Sequence, residues 1–298
     1  MAKKLKIGVM GMSEGNGHPY SWSAIFNGYN KIPMQDCPFP AIPDYLSQQN
    51  FPRDGLSELG TVTHIWTQDI TISKHIAAAS KIENIVEKPE ELIGKVDAVL
   101  LARDDAENHF KMALPFIKAG LPVFIDKPLA LSVEEAEEIL KEQQYENQIF
   151  SCSSIRFAEE LNLTKLEKEE IGKIVHIEAA IPKKWDTYAI HLIEPIVARI
   201  PYRGKLLEVK NMHTDAVANC MVKWENVSAY LKVTGNVPVP VNLKFYGEKG
   251  SVEKQFKDSF TCFKKSLHRF VNVIHGKEKN INREETLEII KILEEGRR

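Results

Sequence analysis

"VDAVLLARDDAENHFKMALPFIKAGLPVFIDKPLALSVEEAEEIL", residues 96–140, reads as strand, helix, strand and helix in succession. Val96 to Ala102 is an apolar run of strand length, Glu107 to Ala119 has helical spacing and stops at Gly120, and Pro122 to Ile125 is apolar again. Strands that alternate with helices predict parallel pairing through crossover connections, and therefore a doubly wound sheet. In such sheets ligands bind in the crevice at the carboxyl ends of the strands. Asp126-Lys127-Pro128 falls at one of these ends.

The same rhythm extends upstream. Leu5 to Met10 reads as a buried strand, Ser21 to Tyr29 as a helix opening at a Ser cap, and Val62 to Thr67 as a further strand. Between residues 31 and 60 the prolines of "KIPMQDCPFPAIPDYLSQQNFPRDG" break any long element and predict an insertion, a candidate part of a lid. Downstream the texture changes. Ser132 and Glu135 have the spacing of a capping box before a helix, and "QIFSCSSIRF" reads as a strand that begins a second domain. "KIVHIEAAI", "NCMVKWE", "VSAYLKVTG" and "VNLKFYG" alternate as half-buried antiparallel strands do, and two amphipathic helices close the chain. With 298 residues and 43% hydrophobic content, two domains are expected, at 1–127 and 128–298. The fold class is α/β, a doubly wound parallel sheet followed by an α+β domain with a large, mostly antiparallel open sheet.

A formal net charge of −2 with both signs interspersed argues against a nucleic-acid partner. Cys37, Cys152, Cys220 and Cys262 lack zinc-ligand and redox-pair spacing, which predicts reduced thiols, no metal site and a cytoplasmic location. The short apolar stretch after the basic start runs into glycine, and no run approaches membrane-spanning length, so a soluble chain is expected.

The 96–140 stretch resembles the centre of the glucose-fructose oxidoreductase and inositol dehydrogenase family (Gfo/Idh/MocA), in which a strand, a His-bearing helix, a second strand and a Glu-Lys-Pro motif follow in that order. The resemblance continues through "IGKIVHIEA", "IHLIE", "FYGEKGSVE" and "REETLEIIKILEE", across nearly the whole chain. It implies a Rossmann domain, a nicotinamide cofactor, and hydride transfer to or from a hydroxyl-bearing carbon of a sugar, amino sugar or cyclic polyol. A lyase or hydrolase on a sugar assisted by retained NAD, and a catalytically inactive dinucleotide-binding regulatory protein, are the alternative readings. The resemblance also implies a homodimer or homotetramer formed through an uncovered face of the second sheet, with Val222, Trp224 and Tyr230 as the large residues on it.

In "GMSEGNGHPYSW", residues 11–22, the dinucleotide fingerprint positions are Gly11, Ser13 and Asn16, so two of three glycines are replaced and the helix is expected to open late, near Ser21. The loop is read as a modified pyrophosphate cradle, against a glycine turn that binds nothing. Asp69, at the end of the second strand, is the ribose candidate and favours NAD over NADP. Arg103 either serves a phosphate or pairs with Asp104 or Asp105. Lys127 is the central catalytic candidate, the alternative being a surface lysine that ends a strand, and Asp126 stands where the family has Glu. His191 is the second catalytic candidate, or else a structural histidine. The residue four before it is Thr187, with Asp186 five before, so the family's Asp-x-x-x-His pair is shifted; Glu194 is the candidate to orient the imidazole. Trp185, Asp186, Thr187 and Tyr188 are substrate candidates, the two aromatics as a sugar-stacking wall. His109 is expected to pack or cap, and His18 to serve the turn before Pro19.

Overall fold

The apolar run Leu5–Met10 forms β1, buried everywhere except at Lys6. The computed structural model describes residues 3–297, in two compact units. The first unit holds β1, α1 (His18–Asn27), α2 (Lys31–Gln35), α3 (Ala41–Ser47), β2 (Gly60–Trp66), α4 (Ile70–Ala79), β3 (Asn84–Ile85), β4 (Ala98–Leu101), α5 (His109–Lys118) and β5 (Val123–Ile125). After α6 (Val133–Lys141) it gains β6 (Ile149–Phe150). The sheet order is β3-β2-β1-β4-β5-β6, parallel throughout. The order reverses between β1 and β4, so the loops that leave these two strands part there and open a crevice.

Helix α1 starts at His18 rather than near Ser21, because Pro19, with its φ fixed near the helical value, sits in the first turn and Gly17 occupies the cap position. The insertion is not without structure: α2 and α3 bury Met34, Ile42 and Leu46, and the Tyr45 hydroxyl donates to Ser21 Oγ on α1 at 2.5 Å. The stretch "QIFSCSSIRF" gives only the two residues of β6, and β6 pairs with β5 in the first sheet. Ser154–Phe157 forms a 3-10 turn instead.

By contact, the first unit comprises residues up to 129, 137–151 and 263–281, and the second 130–136, 152–262 and 282 onward. Where a single division after Lys127 is expected, the chain therefore returns to the first unit twice. An aromatic cluster fixes both returns, for Phe124 of β5 meets Phe150 of β6 at 4.8 Å and Phe270 at 5.5 Å between ring centroids. Such pairs contribute about 0.5–1.5 kcal/mol each beyond area burial.

The second unit contains α7 (Lys165–Ile171), β7 (Ile174–Ile181), α8 (Trp185–Tyr188), α9 (Ile190–Arg199), β8 (Leu206–Asn211), β9 (Ala218–Trp224), β10 (Ser228–Val233), β11 (Asn242–Gly247) and β12 (Ser251–Gln255). Helix α10 (Ser259–Ile274) carries the chain back to the first unit, and α11 (Arg283–Arg297) belongs to the second. Its sheet order is β12-β11-β7-β10-β9-β8, antiparallel except for the parallel pair β7 and β10. Strands β8 and β12 lie outside the runs expected from the sequence, because their side chains are exposed or half-buried and carry little apolar alternation.

Along β9, Cys220, Val222 and Trp224 are buried while Met221 and Lys223 are exposed. Val222 and Trp224 share their core with Ile190, Ile193, Ile289 and Leu293 of α9 and α11, and Trp224 Nε1 donates to Glu288 at 2.7 Å. They are thus corrected from candidates for the uncovered face to covered core, because helices of the same unit pack on their side. The opposite side of the sheet carries Met221, Val175 and Leu207, exposed by 45%, 41% and 56%, among charged residues such as Lys223 and Glu208.

Candidate active site

The loop after β1, the loop after β4 and the Asp126-Lys127-Pro128 turn after β5 meet at the crevice of the first sheet. Lys127 is not a surface lysine. Its side chain is buried to 5% exposure, and Nζ donates to Asp104 Oδ2 at 3.2 Å. The other oxygen of Asp104, Oδ1, accepts from the Ser13 hydroxyl at 2.6 Å. Burial pushes the Asp104 carboxyl up, but the Lys127 ammonium, the Ser13 hydrogen bond and the field of His18 outweigh it and hold the group below the usual carboxylate range. Asp126 is buried too. Its Oδ1 accepts from the Lys127 backbone N–H at 2.8 Å, and its Oδ2 from Asn16 Nδ2 at 2.8 Å.

His18, expected only to serve the turn before Pro19, reaches the acid beside Lys127. Its Nδ1 lies 2.5 Å from Asp126 Oδ2, its ring stacks on Trp22 at 4.7 Å, and Phe263 meets it edge-on. The usable signal was its place at the start of the helix after the glycine loop, where the first turn faces the crevice. His109 is fully buried; its ring nitrogens lie 2.8 and 3.1 Å from the carbonyl oxygens of Arg103 and Leu129, so it ties the β4 and β5 loops together, as a packing role requires.

Whether the loop fits a dinucleotide is decided by its glycines and amides. A Cβ on Gly11 would lie 2.5 Å from Pro19 Cγ, and one on Gly17 would lie 2.5 Å from Ile42 Cδ1, so these two glycines make room for the chain itself. Gly15 differs: its φ is +78°, and no atom lies within 4 Å of where its Cβ would stand. Among the described residues the backbone N–H groups of Met12, Ser13, Glu14, Gly15 and Gly17 make no hydrogen bond. Unspent N–H groups beside an open glycine, ahead of a helix N-terminus, fit an anion such as a pyrophosphate.

The cofactor-edge candidates are engaged within the chain. Asp69 caps α4, accepting from the Thr71 N–H at 2.7 Å. Arg103 pairs through two nitrogens with Asp105 and donates from a third to Gln68 at 3.1 Å. That is the surface-pairing alternative, with Asp105 rather than Asp104 as partner.

His191 lies in the second unit, where its Nδ1 meets Ser153 Oγ at 2.7 Å. Glu194 was expected to orient the imidazole; its Oε2 instead accepts from the Ser153 N–H at 2.6 Å, and its Oε1 lies 3.5 Å from Arg156 Nη1. The correction follows from helix geometry, since Glu194 points to the turn at Ser153, the residue whose hydroxyl meets His191. Burial pushes the Glu194 carboxyl up to about 7, with Arg156 opposing.

Trp185 is corrected as well. It is buried, donates from Nε1 to Leu293 O at 2.9 Å and packs against Gly296, so it presents no stacking wall. Tyr188 is half-buried, meets the His191 ring at 5.4 Å and accepts from Lys183. Asp186 lies 3.8 Å from the Arg297 guanidinium, and Thr187 is half-buried on the same short helix.

Residues 43–153 match the sequence model of Gfo/Idh/MocA, the oxidoreductase family with an NAD-binding Rossmann fold. The glycine loop lies upstream of the matched segment. No curated protein matches the sequence. Among solved structures, the fold is similar to that of a myo-inositol 2-dehydrogenase from Lactobacillus plantarum, with 16% identity, TM-score 0.69 and coverage of 98% of this chain and 95% of that one. A scyllo-inositol dehydrogenase from Lactobacillus casei gives 14% identity, TM-score 0.71 and coverage of 99% and 96%. A UDP-N-acetylglucosamine 3-dehydrogenase from Acidithiobacillus ferrooxidans gives 13%, 0.69, and 98% and 96%. At these identities the likeness is one of fold.

Proposed function

We propose that this chain, whose residues 43–153 match the Gfo/Idh/MocA oxidoreductase family, moves a hydride between a nicotinamide dinucleotide held at loop 11–17 and a hydroxyl-bearing carbon of a sugar, amino sugar or cyclic polyol. The observation that carries the reading is Lys127, a lysine buried at the carboxyl end of a parallel strand and held by Asp104, beside a loop in which the N–H groups of Met12 to Gly15 and of Gly17 are unspent. An ammonium has three N–H donors, and one turned to a substrate oxygen would stabilise developing negative charge there.

When bound, the nicotinamide ring supplies hydride exchange; the chain's own residues bind, orient and move the proton. The amides of Met12, Ser13, Glu14, Gly15 and Gly17 would hold the pyrophosphate, and Asp69 would meet the ribose, which favours NAD over NADP. In the first unit Lys127 is the group proposed to hydrogen-bond a reacting oxygen, and in the second His191, its ring tied by Ser153, is the group proposed to take a hydroxyl proton. The substrate class rests on the resemblance and on the names of the inositol and amino-sugar dehydrogenases with the same fold. The first unit is the dinucleotide domain, and the second, with Tyr188 and Thr187 near His191, is the substrate domain. A homodimer or homotetramer through the exposed side of the second sheet, and a reducing compartment such as the cytoplasm for the four buried cysteines, complete the proposal.

The test is calorimetric titration with NAD and NADP, followed by absorbance of reduced cofactor with a panel of inositols and nucleotide amino sugars. Saturable NAD binding and release of NADH with one compound support the reading. A native protein that binds neither dinucleotide overturns it.

A further inference from the structure

The two fingerprint positions at which this loop departs from glycine carry side chains that both turn inward. Ser13 is 7% exposed and Asn16 3%. Ser13 reaches Asp104 and Asn16 reaches Asp126, and each of these acids divides its two oxygens in the same way. Asp104 gives Oδ1 to Ser13 and Oδ2 to the Lys127 ammonium. Asp126 gives Oδ2 to Asn16 and His18, and Oδ1 to the Lys127 backbone N–H. Ser13 Oγ also accepts from the Asp104 N–H at 3.1 Å, and Asn16 Oδ1 from the His18 N–H at 2.8 Å. A carboxylate is rigid and planar, so a shift of the loop that turns either one moves what its other oxygen holds.

We propose that Ser13 and Asn16 are positioning residues that latch loop 11–17 to the two acids holding Lys127, so that filling the loop and placing the Lys127 ammonium are thermodynamically one event. The inference rests on the dinucleotide reading above. Glycine at either position would leave the loop free to accept pyrophosphate but with nothing to report it. With Ser and Asn there, any ligand that orders the loop also orders Lys127, and by linkage any loss at Lys127 weakens the ligand equally. The latch lies wholly within the first unit, and its charged hydrogen bonds are buried, where truncating one partner leaves the other unsatisfied.

A double-mutant cycle on NAD affinity tests this by calorimetry. Ser13→Ala and Lys127→Met should each weaken NAD about tenfold, and the double variant should fall well short of the hundredfold that independence requires. Ser13→Thr, which retains the hydroxyl, should restore affinity. A loss from general destabilisation would not be rescued in this way. Hydrogen exchange of the unliganded protein reads the latch without NAD. Asp104→Asn should accelerate exchange at the hydrogen-bonded amides of Asn16 and His18 about fivefold or more, with β1 and β4 unchanged. Multiplicative losses in the cycle, no effect of Lys127→Met on NAD affinity, or unaltered exchange at Asn16 and His18 each overturn the latch. A native protein that takes no NAD overturns the dinucleotide reading instead, and the exchange measurement then decides the latch alone.

Discussion

Replacing Glu194 with Gln should remove a pH dependence of stability that the buried carboxylate imposes on the second unit. Glu194 is 3% exposed, and burial raises its carboxyl from 4.5 to about 7 despite Arg156 beside it. The native state therefore holds this proton more tightly than the unfolded chain does. The stability it adds is fully present below pH 4.5 and is lost as pH rises to 7, above which the loss is constant. Integrated between pH 5 and pH 8, the native protein should lose about 2 to 3 kcal/mol from this group. Gln keeps an oxygen to accept from the Ser153 N–H and carries no charge at any pH, and Arg156 keeps Glu285 as a partner. The slowest-exchanging amides of β7 and α9, corrected for intrinsic rates, report opening of the second unit. Their protection should fall with pH in the native protein and stay nearly level in Glu194→Gln. Equal slopes in the two proteins would refute the reasoning.

Gly296→Ala should destabilise the second unit by about 1–3 kcal/mol in urea unfolding, because the new Cβ would stand 2.2 Å from Trp185 Cζ2. Asp69→Ser keeps an oxygen to cap α4, so thermal stability should change little while the preference for NAD over NADP narrows in paired titrations; an unchanged preference removes Asp69 from the ribose. Met221→Glu places a charge on the exposed side of the second sheet; sedimentation should show a native oligomer at micromolar concentration and folded monomers of the variant, and a native monomer would refute that interface.

The parallel sheet was legible because its strands are buried on both faces and read as plain apolar runs: Leu5–Met10 matched to the residue. Lys127 was legible through its place at a strand end. What the sequence concealed has physical causes. The start of α1 turns on Pro19 and a Gly17 cap that carries no side-chain signal. Trp185 looks the same whether it lines a wall or fills a core, and only the carbonyl at Leu293 and the bare backbone of Gly296 decide it. His18 gains its meaning from Asp126, more than a hundred residues away, and no local pattern records that pairing. Strand β6 was read with the second domain because an apolar pair of residues has no address until it finds its neighbour, here β5.

The double return of the chain to the first unit bears on how this protein is made. On the ribosome, β1 to β5 emerge early, but the Phe124 ring must wait for Phe150 and then for Phe270 before its packing closes. Nearly all of the second unit is synthesised in that interval, since residues 152–262 precede the last segment of the first. The nascent sheet is then left with apolar surface in need of temporary cover, which is the condition under which holding chaperones act. A fragment cut after Lys127, where the sequence invites the cut, would keep that exposure permanently.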